Sequence, residues 1–137
     1  MTPETVDTGT AARAWIDGWY RAWLAKDSDA IAALYSDDAV FRSLPFREPH
    51  LGQKGIAAYA QGSFESEEPD RVWFGEPVAG AGRAAVEYWA ILLVEGKPWT
   101  LAGTSILRFA SDGRCEEQRD YWVMEQGRRE PPEGWGR

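Results

Sequence analysis

The sequence predicts an α+β fold, a curved antiparallel sheet wrapped around N-terminal helices. Two observations carry the prediction. Apolar residues recur at helical spacing through the first half of the chain, and from about Asp70 the pattern changes to four strand-like runs separated by turn signals. Helices gathered in one part of a chain and strands in the other are the mark of a sheet with helices packed on one face. With 137 residues, 44% hydrophobic content and eight tryptophans, the chain has the apolar surface for one compact core. A single domain is therefore expected over residues 10–126, with an arm over residues 1–9, a tail over residues 127–137 and no linker.

The first element is a helix. In TAARAWIDGWYRAWLAKD, Trp15, Ile16, Trp19, Tyr20, Trp23 and Leu24 recur at helical spacing, with Thr10 as the expected cap. A second, shorter helix starts where Asp27 and Ser28 can accept hydrogen bonds from free amides. Ile31, Ala32, Leu34 and Tyr35 supply its apolar side, and Asp37-Asp38 ends it. AVFRSL then reads as a short strand. Two prolines and two glycines in LPFREPHLGQKG require a loop or a ragged hairpin, after which Ile56, Tyr59, Ala60 and Phe64 mark a third helix. The strand runs are RVWFGEPV, RAAVEYWAILLV, PWTLAGTSILRF and RCEEQRDYWVM, with turns at Ala79 to Gly82, Gly96-Lys97 and Asp112-Gly113. The tail GRREPPEGWGR is too rich in Gly and Pro for regular structure, and Trp135 is expected to dock it.

Composition removes several function classes. A net charge of −7, with acidic residues spread along the chain, leaves no basic stripe for nucleic acid or for an anionic membrane. No apolar run approaches the roughly 20 residues that span a bilayer, and MTPETVDTGTAARAW lacks the basic-then-apolar start of a secretory signal, so a cytoplasmic protein is expected. Cys115 and His50 are the single cysteine and histidine, which excludes an internal disulfide and a structural zinc site. No metal and no cofactor are expected. The Gly80 to Gly82 run precedes a strand and reads as a hairpin, not a nucleotide loop. No Ser-His-Asp order, nucleophile elbow or HExxH occurs, and the charge at Glu65, Glu67, Glu68 and Asp70 reads as a solvated loop.

Strand alternation then places the chemistry. Both sides of the central strands are apolar, with Val86, Ala90, Leu92, Leu101 and Leu107 on one and Trp89, Ile91, Leu93, Ala102 and Ile106 on the other. One helix layer covers one face, so a homodimer through the other is expected. Two-residue loops at Asp112-Gly113 and Gly96-Lys97 set Asp120 opposite Ser105 and Ser105 opposite Tyr88, on the face that carries Gly103, Trp122 and Met124. A carboxylate there is desolvated and suited to acid/base work near neutral pH. Glu87, Ile106 and Arg119 form the neighbouring row on the opposite face, and a bulge would bring Glu87 over to Asp120.

Each candidate also has an ordinary role. Asp120 can be a structural acceptor for a donor of the first helix, Glu87 an ion-pair partner of Arg119 or Arg108, and His50 an exposed loop residue. Trp15, Trp19, Tyr20 and Trp23 serve a core as readily as the walls of a pocket for a small apolar molecule. Tyr35 and Tyr59 could offer hydroxyls to a carbonyl or oxyanion. Phe41, Phe46, Trp89, Ser105 and Trp122 complete the candidate lining.

The order of elements, the YSDDAVF after the second helix and the DGRCEEQRDYW of the closing strand resemble the NTF2-like, SnoaL-like superfamily over roughly residues 10–124. The resemblance implies a helix-lined, cystatin-like cone on a curved sheet, usually dimeric, whose apolar pocket hosts isomerases, cyclases, dehydratases and epoxide hydrolases as well as proteins of no known reaction. FRSLP and RDYW are similar in place to motifs of the limonene epoxide hydrolase branch, which puts Asp120 at that branch's catalytic aspartate. Phe41 and Ser43 depart from its water-holding tyrosine and asparagine, and AVEYWA lacks its Arg-x-Asp pair. The expected functions are therefore a cofactor-free acid/base catalyst with Asp120 as base and Tyr88 or Tyr35 as donor, a small-molecule binding module, or a filled cone that serves as an association surface.

Overall fold

A computed structural model describes residues 5–137, so residues 1–4 of the expected arm lie outside the described residues. The elements follow in the order α1 (Thr8–Ala25), α2 (Ser28–Ala32), β1 (Tyr35–Arg42), β2 (His50–Leu51), α3 (Gly52–Ser66), β3 (Glu68–Phe74), β4 (Val78–Gly80), β5 (Arg83–Val94), β6 (Lys97–Phe109) and β7 (Cys115–Gln126). Asp7, not Thr10, caps α1: its carboxylate accepts from the Thr10 amide at 3.1 Å. The left-handed Lys26 closes the helix, and Asp27 caps α2 by accepting from the Ala30 amide at 3.0 Å.

The second helix is shorter than its apolar pattern suggests. It ends at Ala32, and Tyr35 opens β1, whose backbone pairs in parallel with β7 at Tyr35 and Cys115. Period-2 pairing in a buried strand outweighs the helical spacing of Leu34 and Tyr35. The loop after β1 returns as a ragged hairpin, with His50–Leu51 paired to Val40 and Phe41.

The seven strands form one sheet in the order β2-β1-β7-β6-β5-β3, with β4 also on β5. RVWFGEPV is therefore two strands, β3 and β4, separated at Gly75. Two turns set the register. The β5–β6 turn is Glu95-Gly96, both with positive φ (52° and 76°), not Gly96-Lys97. Such a turn needs left-handed backbone at both positions and favours glycine at the second. Ser105 consequently pairs with Val86, and Tyr88 with Gly103. The shift is two residues, so every side chain keeps its face.

The other turn is not the expected two-residue loop at Asp112-Gly113: Phe109 pairs with Cys115 but Arg108 with Glu117, so the loop is longer and Glu116 is an extra residue, a bulge. Beyond it Ser105 faces Asp120. Without that extra residue, the pairing at Phe109 would carry Asp120 to the opposite side of the sheet.

The inner face packs against α1 and α3 through Trp15, Tyr35, Phe41, Ile56, Phe64, Val86 and Leu107. The outer face is partly covered by the chain itself. The chain's own tail crosses part of it: the Trp89 Nε1–H donates to the Arg129 carbonyl at 2.8 Å, Thr100 Oγ1 accepts from the Arg129 amide at 2.9 Å, and Trp135 packs edge-on to Trp89 at 6.0 Å. Gly136 lies so close to Gly75 that a Cβ on Gly75 would stand 2.8 Å from the Gly136 Cα. Tyr121 and Val123, on the uncovered part, remain exposed.

Trp135→Ala removes the aromatic contact that seats this tail. It is expected to cost about 1 kcal/mol and lower Tm by a few degrees. Hydrogen exchange at the Trp89 indole should rise in the same variant; an unchanged rate would show that the tail is held without Trp135.

Candidate active site

A cavity of about 90 Å³ lies between the inner face of the sheet and the helices. From α1 come Trp15, Trp19 and Trp23, set one turn apart, with ring centroids 6.0 and 5.8 Å between neighbours, the first pair tilted and the second edge-on. Phe74 and Tyr88 close one side, Phe41 and Tyr59 another. The half-buried Ser63, Glu67, Leu101, Trp122 and Met124 form the rim. Asp120, 9% exposed, stands on the sheet floor among them.

The carboxylate of Asp120 is held unevenly. Its Oδ1 accepts from the Ser105 hydroxyl at 2.6 Å and from Gln118 Nε2 at 2.8 Å, while Oδ2 accepts a long bond from the Tyr88 hydroxyl at 3.4 Å. Gln118 Oε1 in turn accepts from the Tyr35 hydroxyl, whose oxygen accepts from the indoles of Trp19 at 2.9 Å and Trp15 at 3.3 Å. Among the described residues no buried side-chain polar atom lacks a partner. Burial pushes the Asp120 carboxyl up to about 7, against the lowering pull of its bonds from Ser105, Gln118 and Tyr88. Burial likewise raises the phenols of Tyr88, Tyr59 and Tyr35, with the nearby Asp120 adding to each, so all three stay neutral donors.

Gly103 makes the Tyr88 contact possible. A Cβ there would stand 2.6 Å from the Trp122 Cβ and 2.8 Å from the Tyr88 ring. With no side chain at that point of the inner face, Tyr88 lies across its cross-strand partner and reaches Asp120 diagonally.

The structure brings together Asp120, Tyr88, Trp15, Trp19, Trp23, Phe41, Tyr59, Ser105 and Trp122 of the sequence-derived candidates. It does not bring the rest. Glu87 is exposed on the outer face opposite Thr104, because the bulge lies in β7 and leaves β5 in phase. Trp89 is also on the outer face, under the tail. Tyr20 points out of α1, and Phe46 stands fully in solvent at the tip of its loop. His50 stacks on Tyr59 at 4.2 Å, behind the wall, with its pKa lowered by burial and by Arg47. Tyr35 is completely buried behind Gln118 instead of lining the cavity.

Of the lining residues without a candidate role, two bear on the chemistry of the site. Gln118 is one; its place two residues before Asp120 on an alternating strand puts both on one face, which is a readable signal. Glu67 is the other, and it corrects the solvated-loop reading. As the last cap of α3 it turns toward the rim, where burial raises its pKa against the opposing charge of Arg47. Arg47 itself sits 5.4 Å over the Trp122 ring. Among the described residues no group of three or more His, Cys, Asp or Glu could hold a metal ion, and no helix is long and apolar enough to cross a membrane.

Comparison with known proteins agrees with this architecture. The sequence matches the SnoaL-like domain over residues 16–118. Comparison with the curated proteins finds no significant match. Among solved structures, one described as the epoxide hydrolase/cyclase-like enzyme SalBIII, with a role in pyran ring formation in the polyether salinomycin, aligns with a TM-score of 0.74 at 13% identity. The alignment covers 86% of this chain and 97% of that one.

The raised carboxyl has a thermodynamic consequence. A folded pKa of about 7 against an ordinary 3.8 means that the native state holds the Asp120 proton longer than the unfolded chain. Its stabilising contribution is complete below pH 4 and is lost as pH rises through 7, on the order of 4 kcal/mol in all. Asp120→Asn is expected to flatten urea-derived stability between pH 4 and 8 and to leave the variant more stable than wild type at pH 8. A wild-type profile just as flat would contradict the buried, raised carboxyl.

Proposed function

The chain belongs to the SnoaL-like domain family of the NTF2-like superfamily, and from that premise we propose that it is a cofactor-free acid/base catalyst acting on a small apolar molecule, with Asp120 as the base. The observation that carries this reading is the uneven Asp120 carboxylate. One oxygen is committed to the framework; the other faces an aromatic cavity with a single long contact, and the group titrates near neutral pH. The likeness to an epoxide hydrolase/cyclase-like structure supports epoxide opening as the reaction class.

In that reaction Asp120 Oδ2 takes the proton of a water or of a hydroxyl on the substrate. The freed oxygen attacks an epoxide carbon, one C–O bond forms and the ring C–O bond breaks. The oxyanion left behind is stabilised by the Tyr88 or Tyr59 phenol and finally receives the proton that Asp120 holds. With water the outcome is a diol, with an internal hydroxyl a cyclic ether. Trp15, Trp19 and Trp23 orient the apolar body by flat contact. Among the described residues the lining contains no Lys, Arg or His, and it contains both Asp120 and Glu67, so an anionic substrate is disfavoured. The work is proposed to take place in the cytoplasm, in a dimer that uses the part of the outer face around Tyr121 and Val123.

A second reading, a binding module without turnover, is favoured by the small cavity and by the two bonds that Oδ1 already accepts from Ser105 and Gln118. A panel of small apolar epoxides and hydroxy-epoxides separates the two. Catalysis by Asp120 predicts a kcat/KM that rises as pH passes upward through about 7. Asp120→Asn should lower it a hundredfold or more while ligand-induced changes in tryptophan fluorescence persist. Undiminished turnover in that variant would remove Asp120 from the mechanism, and ligand binding with no wild-type turnover would leave the second reading.

A further inference from the structure

We propose that Tyr35 and Gln118, neither of which is needed to touch a substrate, are positioning residues: a one-way chain of hydrogen bonds from Trp15 and Trp19 through them commits Asp120 Oδ1 to accepting and leaves Oδ2 as the oxygen that gains and loses the proton. The proposal rests on the catalytic reading of Asp120 and specifies how that reading is enforced.

The direction of the chain follows from counting donors and acceptors. Indole N–H groups only donate. Two of them, from Trp19 at 2.9 Å and Trp15 at 3.3 Å, point at the Tyr35 oxygen and use its acceptor capacity. The Tyr35 proton must then be given away, and Gln118 is where it goes. The Gln118 atom that meets it is therefore the carbonyl Oε1, which turns the amide Nε2 toward Asp120 Oδ1 at 2.8 Å and Ser105 Oγ at 3.4 Å. Ser105, receiving from Gln118, donates its own proton to the same Oδ1 at 2.6 Å.

Oδ1 thus faces two donors, and the orientation of the Gln118 amide is imposed from behind. Placing a proton on it would set hydrogen against hydrogen in a site where Tyr35, Gln118 and Ser105 are each at most 2% exposed. Oδ2 has no such conflict, because Tyr88 can donate to it when it is ionised and accept from it when it is protonated. The titratable groups that face Asp120 are Tyr88 from β5, Tyr59 from α3, Tyr35 from β1 and Cys115 from its own strand, with Glu67 across the cavity. The first four are held neutral by burial; α1 contributes tryptophans alone. What stabilises the charged carboxylate is therefore the hydrogen-bonding set, and Gln118 supplies a donor whose direction Tyr35 secures.

The test follows the Asp120 carboxyl carbon by 13C NMR against pH in the intact protein, with no substrate, so its outcome is independent of whether the protein turns anything over. Gln118→Leu should move the midpoint upward by about one unit. Tyr35→Phe, which deletes one oxygen and keeps the ring, should move it in the same direction by less. In the double variant the Tyr35 effect should vanish, because its route to Asp120 is gone. Unchanged midpoints in folded Gln118→Leu, or a Tyr35→Phe shift that adds in full to that of Gln118→Leu, would overturn the relay. Should Gln118→Leu fail to fold, an unmoved midpoint in Tyr35→Phe alone overturns it.

Discussion

The site depends on which side of the sheet β7 presents Asp120, and that depends on one surplus residue. Strand side chains alternate, so a register change of one residue exchanges the two faces of everything beyond it. Glu116 is that residue. Arg108 lies within reach of both Glu116 and Glu117, pairing more closely with Glu117, so the bulge is tied down on the outer side by charge. On the inner side Gln118, Asp120, Trp122 and Met124 all follow from it. The bulge is thus a local irregularity that decides whether a carboxylate meets water or tryptophan.

Once Asp120 is inside, two opposing effects set its chemistry. Removing it from water raises its affinity for a proton, and donors lower it. Neither wins outright, and the carboxyl rests near neutrality. The tryptophan stripe of α1 acts on both sides of that balance. Its ring faces wall the cavity and help to bury the carboxyl, while the indole N–H groups of Trp15 and Trp19 end on Tyr35 and so orient the donors behind Asp120. The same residues serve as core, as wall and as the origin of a polar chain, which is why a division into packing residues and site residues does not describe this helix.

The outer face shows a different solution to apolar exposure. Antiparallel sheets that are apolar on both sides need a cover on each. Here the tail returns across Trp89 and Thr100 and satisfies their polar atoms with its own backbone, and the glycines at 75 and 136 allow it to come close. What remains open around Tyr121 and Val123 is a smaller surface than the strand pattern alone implied.

Much of this was legible in the residue order. The helical stripe of Trp15, Trp19 and Trp23, the four antiparallel runs and the docking of Trp135 follow from periodicity, turn residues and burial, which are local properties that a chain carries with it. The inward row of Ser105 and Asp120 was expected from a two-residue loop and is reached instead through a longer turn and the bulge at Glu116. Tyr35 was misplaced because its neighbours satisfy both helical and strand spacing, and only β7 lying alongside, in parallel, decides between them. Tyr88 was assigned to the right face and the wrong row, since a two-residue error in the turn preserves parity. Glu87 stayed outside because β5 has no irregularity of its own. Glu67 reached the rim because α3 ends there. Gln118 acquired its role because Tyr35, eighty-three positions away in the chain, gives its proton to it. The sequence by itself determined which residues are apolar, charged or able to turn the chain. The tertiary structure decided which of them share a buried cavity and which hydrogen-bond donors are left without a choice of partner, because desolvation and donor bookkeeping exist only between segments that folding has brought together.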